Sequence, residues 1–240
     1  MKIALASAEF RNNSVDYNLL QIKTFMKRAS DADCELICFG EAFLQGFDAF
    51  SWTFDADMPI ALFPNDPVIK KMGEYSKALE IDVAFGYLEK DEESLYSSYM
   101  VIQEGEPLYN YRRITRGWKE FRKTDHHYKE GSITEVFDYR GYKTLISLCG
   151  DLWDKPEAFA KKQELTLWPV YVDFSLEDWA EYRSEYAQQT GLLPGHILLI
   201  NSLCHPTAVG GCFHYLNGEI CAELSPGTSG ILIVELPDKH

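Results

Sequence analysis

The chain has 240 residues, 46% of them hydrophobic and 14% aromatic, enough to bury the core of one domain of the larger kind spanning 1–240 and to exclude a disordered chain. Its formal net charge of −14 argues against nucleic acid or an anionic membrane surface as partner, because either demands clustered lysine and arginine. The basic residues from Arg112 to Lys123 are interrupted by Trp118, Glu120 and Phe121 and read as a solvated loop.

Residues 2–8 form an apolar run that reads as a buried strand, and 14–29 carry Leu19, Ile22, Phe25, Met26 and Ala29 at helical spacing, with Asn13 or Ser14 as cap. A second strand follows at 35–39. Asp66-Pro67, then Val68, Ile69, Met72, Tyr75 and Leu79, predict a helix with its cap and first-turn proline in place. Strands are expected at 82–88, 95–102 and around 107–111, and after a polar stretch at 133–139 and 142–148. Helices near 155–162 and at 176–190 flank a strand at 165–170, and 196–201 is another buried strand. CFHYL and EICAEL on either side of Asn217-Gly218 predict a hairpin, since that dipeptide accepts the positive φ angles of a type I′ turn. ILIVEL supplies a last strand. The order predicts one α/β domain with mixed sheet.

The cysteines at 34, 38, 149, 204, 212 and 221 are spread through a chain too large to need a disulfide framework, so reduced thiols are expected. The Cys34 and Cys38 pair lacks a second pair at zinc-ligand spacing, and apart from His126 and His127 the histidines are scattered, so neither a metal nor a cofactor is expected. Glu9 and Arg11 come too soon for a signal peptide, and no apolar stretch approaches the roughly 18 residues of a membrane span. A soluble, cytoplasmic protein without a membrane partner is the expectation.

Two positions stand out chemically. Glu41 ends the apolar strand of LICFGEAFLQGF, where a charge is costly unless something polar meets it. Cys149, in SLCGDLWDKPE, falls just past a strand end and before a turn, where open α/β sheets place their ligands. Taken singly, the first also fits a loop or helix-cap acid and the second an inert buried thiol.

The order of motifs resembles the nitrilase, or carbon–nitrogen hydrolase, superfamily over nearly the whole length. GEAFLQGF is similar to the family's glutamate segment, with Gly40 where proline is usual. VAFGYLE at 83–89, YRR at 111–113, CGDLWDKPE from Cys149, LLIN at 198–201 and GGCFHYLNGE at 210–219 follow in family order. The resemblance implies a four-layer αββα sandwich that assembles as a homodimer or higher homo-oligomer, and a Glu-Lys-Cys triad acting on a small-molecule amide or nitrile. Carried over by position, Glu41 is the general base and Cys149 the nucleophile; Gly150 contributes its backbone N–H to the oxyanion site, and Glu120 is the candidate for a second, positioning glutamate. The lysine falls on Arg113. A guanidinium stabilises an oxyanion but does not exchange protons as an amine does, so two readings follow. One is an amidase-like hydrolase working through a Cys149 thioester, using arginine or recruiting Lys119. The other is a catalytically impaired nitrilase-fold binding or regulatory protein. On the family pattern, lysine at position 113 should retain or raise turnover.

Overall fold

Strands whose residues are buried almost without interruption need cover on both faces, and the computed structural model, which describes residues 1–239, supplies it by stacking two six-stranded sheets between helices. The first sheet has the order β12-β1-β2-β3-β4-β5 and the second β11-β10-β9-β8-β7-β6. In chain order the elements are β1 (Lys2–Ser7), α1 (Val15–Ser30), β2 (Leu36–Cys38), α2 (Phe54–Asp57), α3 (Pro67–Leu79), β3 (Asp82–Asp91), β4 (Ser94–Gln103), β5 (Glu106–Arg112), β6 (Phe137–Tyr139), β7 (Tyr142–Ile146), α4 (Asp151–Asp154), β8 (Leu165–Val170), α5 (Leu176–Thr190), β9 (His196–Cys204), β10 (Ala208–Leu216), β11 (Glu219–Leu224) and β12 (Gly230–Glu235). In each sheet three neighbouring strands run parallel, β1-β2-β3 and β7-β8-β9, and the remaining pairs are antiparallel.

The period of two along each strand divides the core. Ile3 and Leu5 of β1 join Leu36, Ile146, Leu167 and Leu198 between the sheets. Ala4 and Ala6 point the other way, towards Leu19, Ile22 and Met26 of α1 and Ile69 and Met72 of α3. Trp179 and Tyr186 of α5 cover the outer side of the second sheet, against Phe213 and Tyr215. The layers are therefore α, β, β, α, the expected sandwich. The α3 cap is as predicted, with Asp66 Oδ1 accepting from Val68 N at 2.9 Å. Asn217 and Gly218 have φ of 54° and 79°, the two positive angles a type I′ turn requires.

Two predicted elements differ. The helix expected near 155–162 is replaced by α4 and a short 3-10 turn at Pro156–Ala158; Pro156 offers no N–H to continue the ladder and holds Lys155 at φ −143°, out of the helical region. The strand expected at 133–139 shrinks to Phe137–Tyr139, and Ile133 is 58% exposed. The unpredicted α2 carries Asp57, a fully buried carboxylate satisfied by Ser51 N, Ser51 Oγ, Trp52 N and Tyr128 OH at 2.6–2.8 Å. Among the described residues no helix is long and apolar enough to cross a membrane.

Gly86 in β3 governs how closely the chain after β2 approaches. A Cβ there would lie 2.4 Å from Ala42 N and 2.7 Å from Glu41 Cα. Gly86→Ala is therefore expected to cost about 1–3 kcal/mol, as for an overpacked core; a urea unfolding midpoint equal to that of the parent would contradict this tight seat.

Candidate active site

Glu41 and Cys149 leave different sheets and meet at the end of β8. The Glu41 N–H donates to Val170 O at 3.3 Å and the Cys149 N–H to Pro169 O at 3.0 Å, so adjacent carbonyls of one strand hold both segments. Gly40 permits this contact. Its N–H donates to Ser202 Oγ at 3.2 Å, which a proline could not do, and a Cβ would lie 2.6 Å from that oxygen and 3.0 Å from Val170 O. Ala42 and Cys149 take positive φ angles of 49° and 41°, a conformation that costs residues with a Cβ about 1–3 kcal/mol and clusters at functional sites.

The alternation of β5 separates its last residue, Arg112, from Arg113, which follows directly. Arg112 pairs with buried Glu89 on one face. Arg113 turns inward, is 2% exposed, and meets fully buried Glu41. Its Nη1 donates to Glu41 Oε1 at 3.0 Å and Oε2 at 3.3 Å, and Ser97 Oγ donates to Oε1 at 2.8 Å. On the far side of the guanidinium, Nε donates to Thr115 Oγ1 at 3.1 Å, and Thr115 Oγ1 donates to Asp151 Oδ1 at 2.8 Å. Asp151 also accepts from Tyr111 OH at 2.6 Å, Leu148 N at 3.0 Å and Ile114 N at 3.2 Å. Burial pushes the Asp151 carboxyl up, while Tyr111, Arg113 and the Leu148 N–H oppose that rise. Burial acts to lower the Arg113 pKa, yet Glu41, Cys149 and Asp151 hold it above its ordinary value, and the side chain stays charged.

Cys149 is half-buried. Its Sγ lies 3.7 Å from Tyr171 O, and its own carbonyl accepts from Trp168 Nε1 at 2.9 Å. Burial first, then the Glu41 charge, push the thiol up to about 12, with Arg113 and the Tyr171 contact pulling the other way. Gly150 follows directly, at the entry to α4, and a Cβ on it would meet Arg113 Nη2 at 2.5 Å. The structure thus brings Glu41, Arg113, Cys149 and Gly150 together.

Two sequence candidates fall elsewhere. Glu120 is exposed on the loop after Trp118, its carbonyl accepting from Lys123 N and Thr124 N. Lys119 pairs with Glu130 at 2.7 Å and donates to Tyr128 O, contacts that engage its ammonium outside the Glu41 and Cys149 pair. Of the large aromatic residues, Trp118, Tyr128, Trp168 and Trp179 are buried in the core and Phe121 is 68% exposed. Sequence reasoning missed Ser97, Thr115 and the acceptor role of Asp151. Thr115 and Asp151 lie within the motif segments, but nothing in the sequence marks Ser97, which the β4-β5 register sets beside Arg113 through the Arg113 N to Ser97 O bond of 2.9 Å. As possible metal ligands, Asp125, His126 and His127 place a carboxylate and two imidazoles within 4.8 Å of one another on an exposed turn.

A family model described as carbon-nitrogen hydrolase matches residues 2–184. The chain belongs to the carbon–nitrogen hydrolase family. Among curated relatives, the glutamine-dependent NAD(+) synthetase of Thermotoga maritima is 23% identical over 160 residues, 67% of this chain and 27% of that protein. The cyanide hydratase of Penicillium rubens is 28% identical over 166 residues, 61% of this chain and 45% of that protein. The chain thus spans less than half the length of these relatives. Among solved structures, a nitrilase-superfamily amidase of Nesterenkonia AN1 superimposes with a TM-score of 0.80 at 17% identity, covering 99% of this chain and 91% of that one. The glutamine-dependent NAD+ synthetase of Acinetobacter baumannii gives 0.76 at 20% identity, covering 97% of this chain and 44% of that one. These likenesses establish the fold, two mixed sheets between helices.

A thiol held up to about 12 is scarcely ionised where a free cysteine of pKa about 8.5 is half thiolate. Iodoacetamide labelling of Cys149, followed by peptide mapping, should therefore keep rising well above pH 9. A plateau near pH 9 would show that burial and Glu41 do not govern this thiol.

Proposed function

We propose that this protein cleaves the carbon–nitrogen bond of a small-molecule amide through a thioester at Cys149. The observation that carries this reading is the single cluster in which Arg113 binds Glu41 through Nη1 and packs against Gly150, the residue after Cys149. Glu41 Oε1 accepts from both Ser97 and Arg113, whereas Oε2 has only the longer 3.3 Å contact; Oε2 is the lone-pair site left to take the thiol proton. As sulfur attacks the amide carbon, that proton passes to Glu41. The carbonyl oxygen becomes an oxyanion, stabilised by the Gly150 N–H and the fixed charge of Arg113. Collapse of the tetrahedral species breaks the C–N bond, Glu41 protonates the departing nitrogen, and ammonia or an amine leaves. Water then attacks the thioester, giving its proton to Glu41, and the acid is released with regeneration of the thiol. A nitrile would enter the same sequence through a thioimidate.

The second reading is a domain that binds such a ligand without turnover. It is favoured by one feature: Arg113 engages both oxygens of Glu41, occupying lone pairs that a base would use. Ammonia release from a panel of small amides, ω-amides and nitriles separates the two. Turnover that disappears in Cys149→Ala supports the hydrolase, whereas ligand binding with no turnover in either protein supports the second reading.

We also propose a homodimer or higher homo-oligomer. Trp153, Leu176 and Leu192, at 39%, 52% and 56% exposure, leave apolar surface on and around α4 and α5, next to the nucleophile segment. Light scattering is expected to give at least twice the chain mass of 27.5 kDa, and a monomer at micromolar concentration would overturn the assembly.

A further inference from the structure

We infer that residues 113, 115, 117, 150 and 151 form a socket specific for a guanidinium, in which Thr115, backed by Asp151, is the positioning residue of Arg113. The inference rests on the hydrolase reading for its catalytic meaning, but the fit itself stands on contacts.

Each nitrogen of the side chain has its own place. Nη1 belongs to Glu41, and Nε belongs to Thr115. Nε–H can only donate and an ionised carboxylate can only accept, so the Thr115 hydroxyl is oriented in one sense, accepting from Arg113 and donating to Asp151 at 2.8 Å. The four donors gathered on Asp151 fix that carboxylate in turn. Nη2 occupies a gap between two glycines: a Cβ on Gly117 would come within 2.8 Å of it, and one on Gly150 within 2.5 Å. Among the described residues no hydrogen-bond acceptor meets Nη2, so its N–H groups remain available beside the residue that follows the nucleophile. This is the side from which an oxyanion at the Cys149 acyl carbon would be met.

A lysine would satisfy only part of this arrangement. Its single nitrogen can reach Glu41, but it has no second donor at the Nε position, leaving Thr115 Oγ1 without its buried partner, and no atom for the space between Gly117 and Gly150. Lysine at position 113 is thus expected to lose reactivity, the reverse of what the family pattern alone implies. Thr115 and Gly117 should also matter only while residue 113 is arginine, and this dependence separates positioning from a general structural role.

The experiment measures the iodoacetamide labelling rate of Cys149 against pH in the parent, Arg113→Lys, Thr115→Val, Thr115→Ser, Gly117→Ala, and the Thr115→Val and Gly117→Ala changes on the Arg113→Lys background. Displacing the fixed charge so that the thiol pKa rises by one unit is a tenfold change in thiolate. Arg113→Lys, Thr115→Val and Gly117→Ala should each slow labelling by about that factor, Thr115→Ser should match the parent, and neither Thr115→Val nor Gly117→Ala should slow the lysine variant further. Parental reactivity in Arg113→Lys, or equal losses on both backgrounds, would overturn the socket. If the parent labels at exposed Cys221 and never at Cys149, the nucleophile reading fails instead. The thermal midpoints of the Gly117→Ala variants then decide the socket: a loss confined to the arginine background upholds it, and a loss shared by both backgrounds rejects it.

Discussion

Burying a carboxylate and a guanidinium together is tolerable only when each supplies the other's charge and their remaining hydrogen-bonding groups are met. The pair of Glu41 and Arg113 imposes that condition on the centre of this fold. Glu41 is fully buried and Arg113 nearly so, and removing one member of such a pair typically costs about 3–5 kcal/mol because it strands the other. Ser97, Thr115 and Asp151 are arranged around it accordingly, Ser97 donating to Glu41, Thr115 accepting from Nε and Asp151 accepting in turn from Thr115. The line runs carboxylate, guanidinium, hydroxyl, carboxylate. Burial first, and then the Glu41 charge, keep the neighbouring Cys149 protonated against the pull of Arg113.

The sheets supply the geometry. β8 lies inside the second sheet, and its last carbonyls accept from the backbones of both Glu41 and Cys149, so the candidate base and nucleophile are fixed relative to one strand. Close approach is possible because Gly40 and Gly86 have no Cβ where Ser202 and the Glu41 backbone pass. Bonds made by backbone atoms are insensitive to most side-chain changes, which helps explain how chains of 17–20% identity keep this sandwich.

Membership of the carbon–nitrogen hydrolase family leaves the consequence of Arg113 open, and the local chemistry defines what is at issue. A guanidinium holds charge at a fixed place and donates in several directions, but it does not pass a proton on. Proton transfer in the proposed cycle therefore falls entirely to Glu41, whose Oε2 is the less occupied oxygen. In that proposed cycle Arg113 is a charged wall of the site. Its value depends on how firmly it is held.

The sequence by itself determined the order of most elements and singled out Glu41, Cys149 and Arg113 as candidates. Strand and helix periodicities are local properties, and motif residues keep their order along a chain. Helix α5 fell at 176–190 as its spacing predicted, and the Asn217-Gly218 hairpin follows from the φ angles those residues tolerate. Where a local signal competed with another constraint, as at Pro156 or in the irregular stretch before β6, the reading was less complete. Tertiary structure alone decided that Glu120 faces solvent, that Lys119 is engaged by Glu130 and Tyr128, and that Ser97 and Thr115 touch the charged pair. These contacts join residues whose proximity depends on strand register and on two sheets meeting at β8, and nothing within a few residues of Ser97 or Glu41 encodes that meeting.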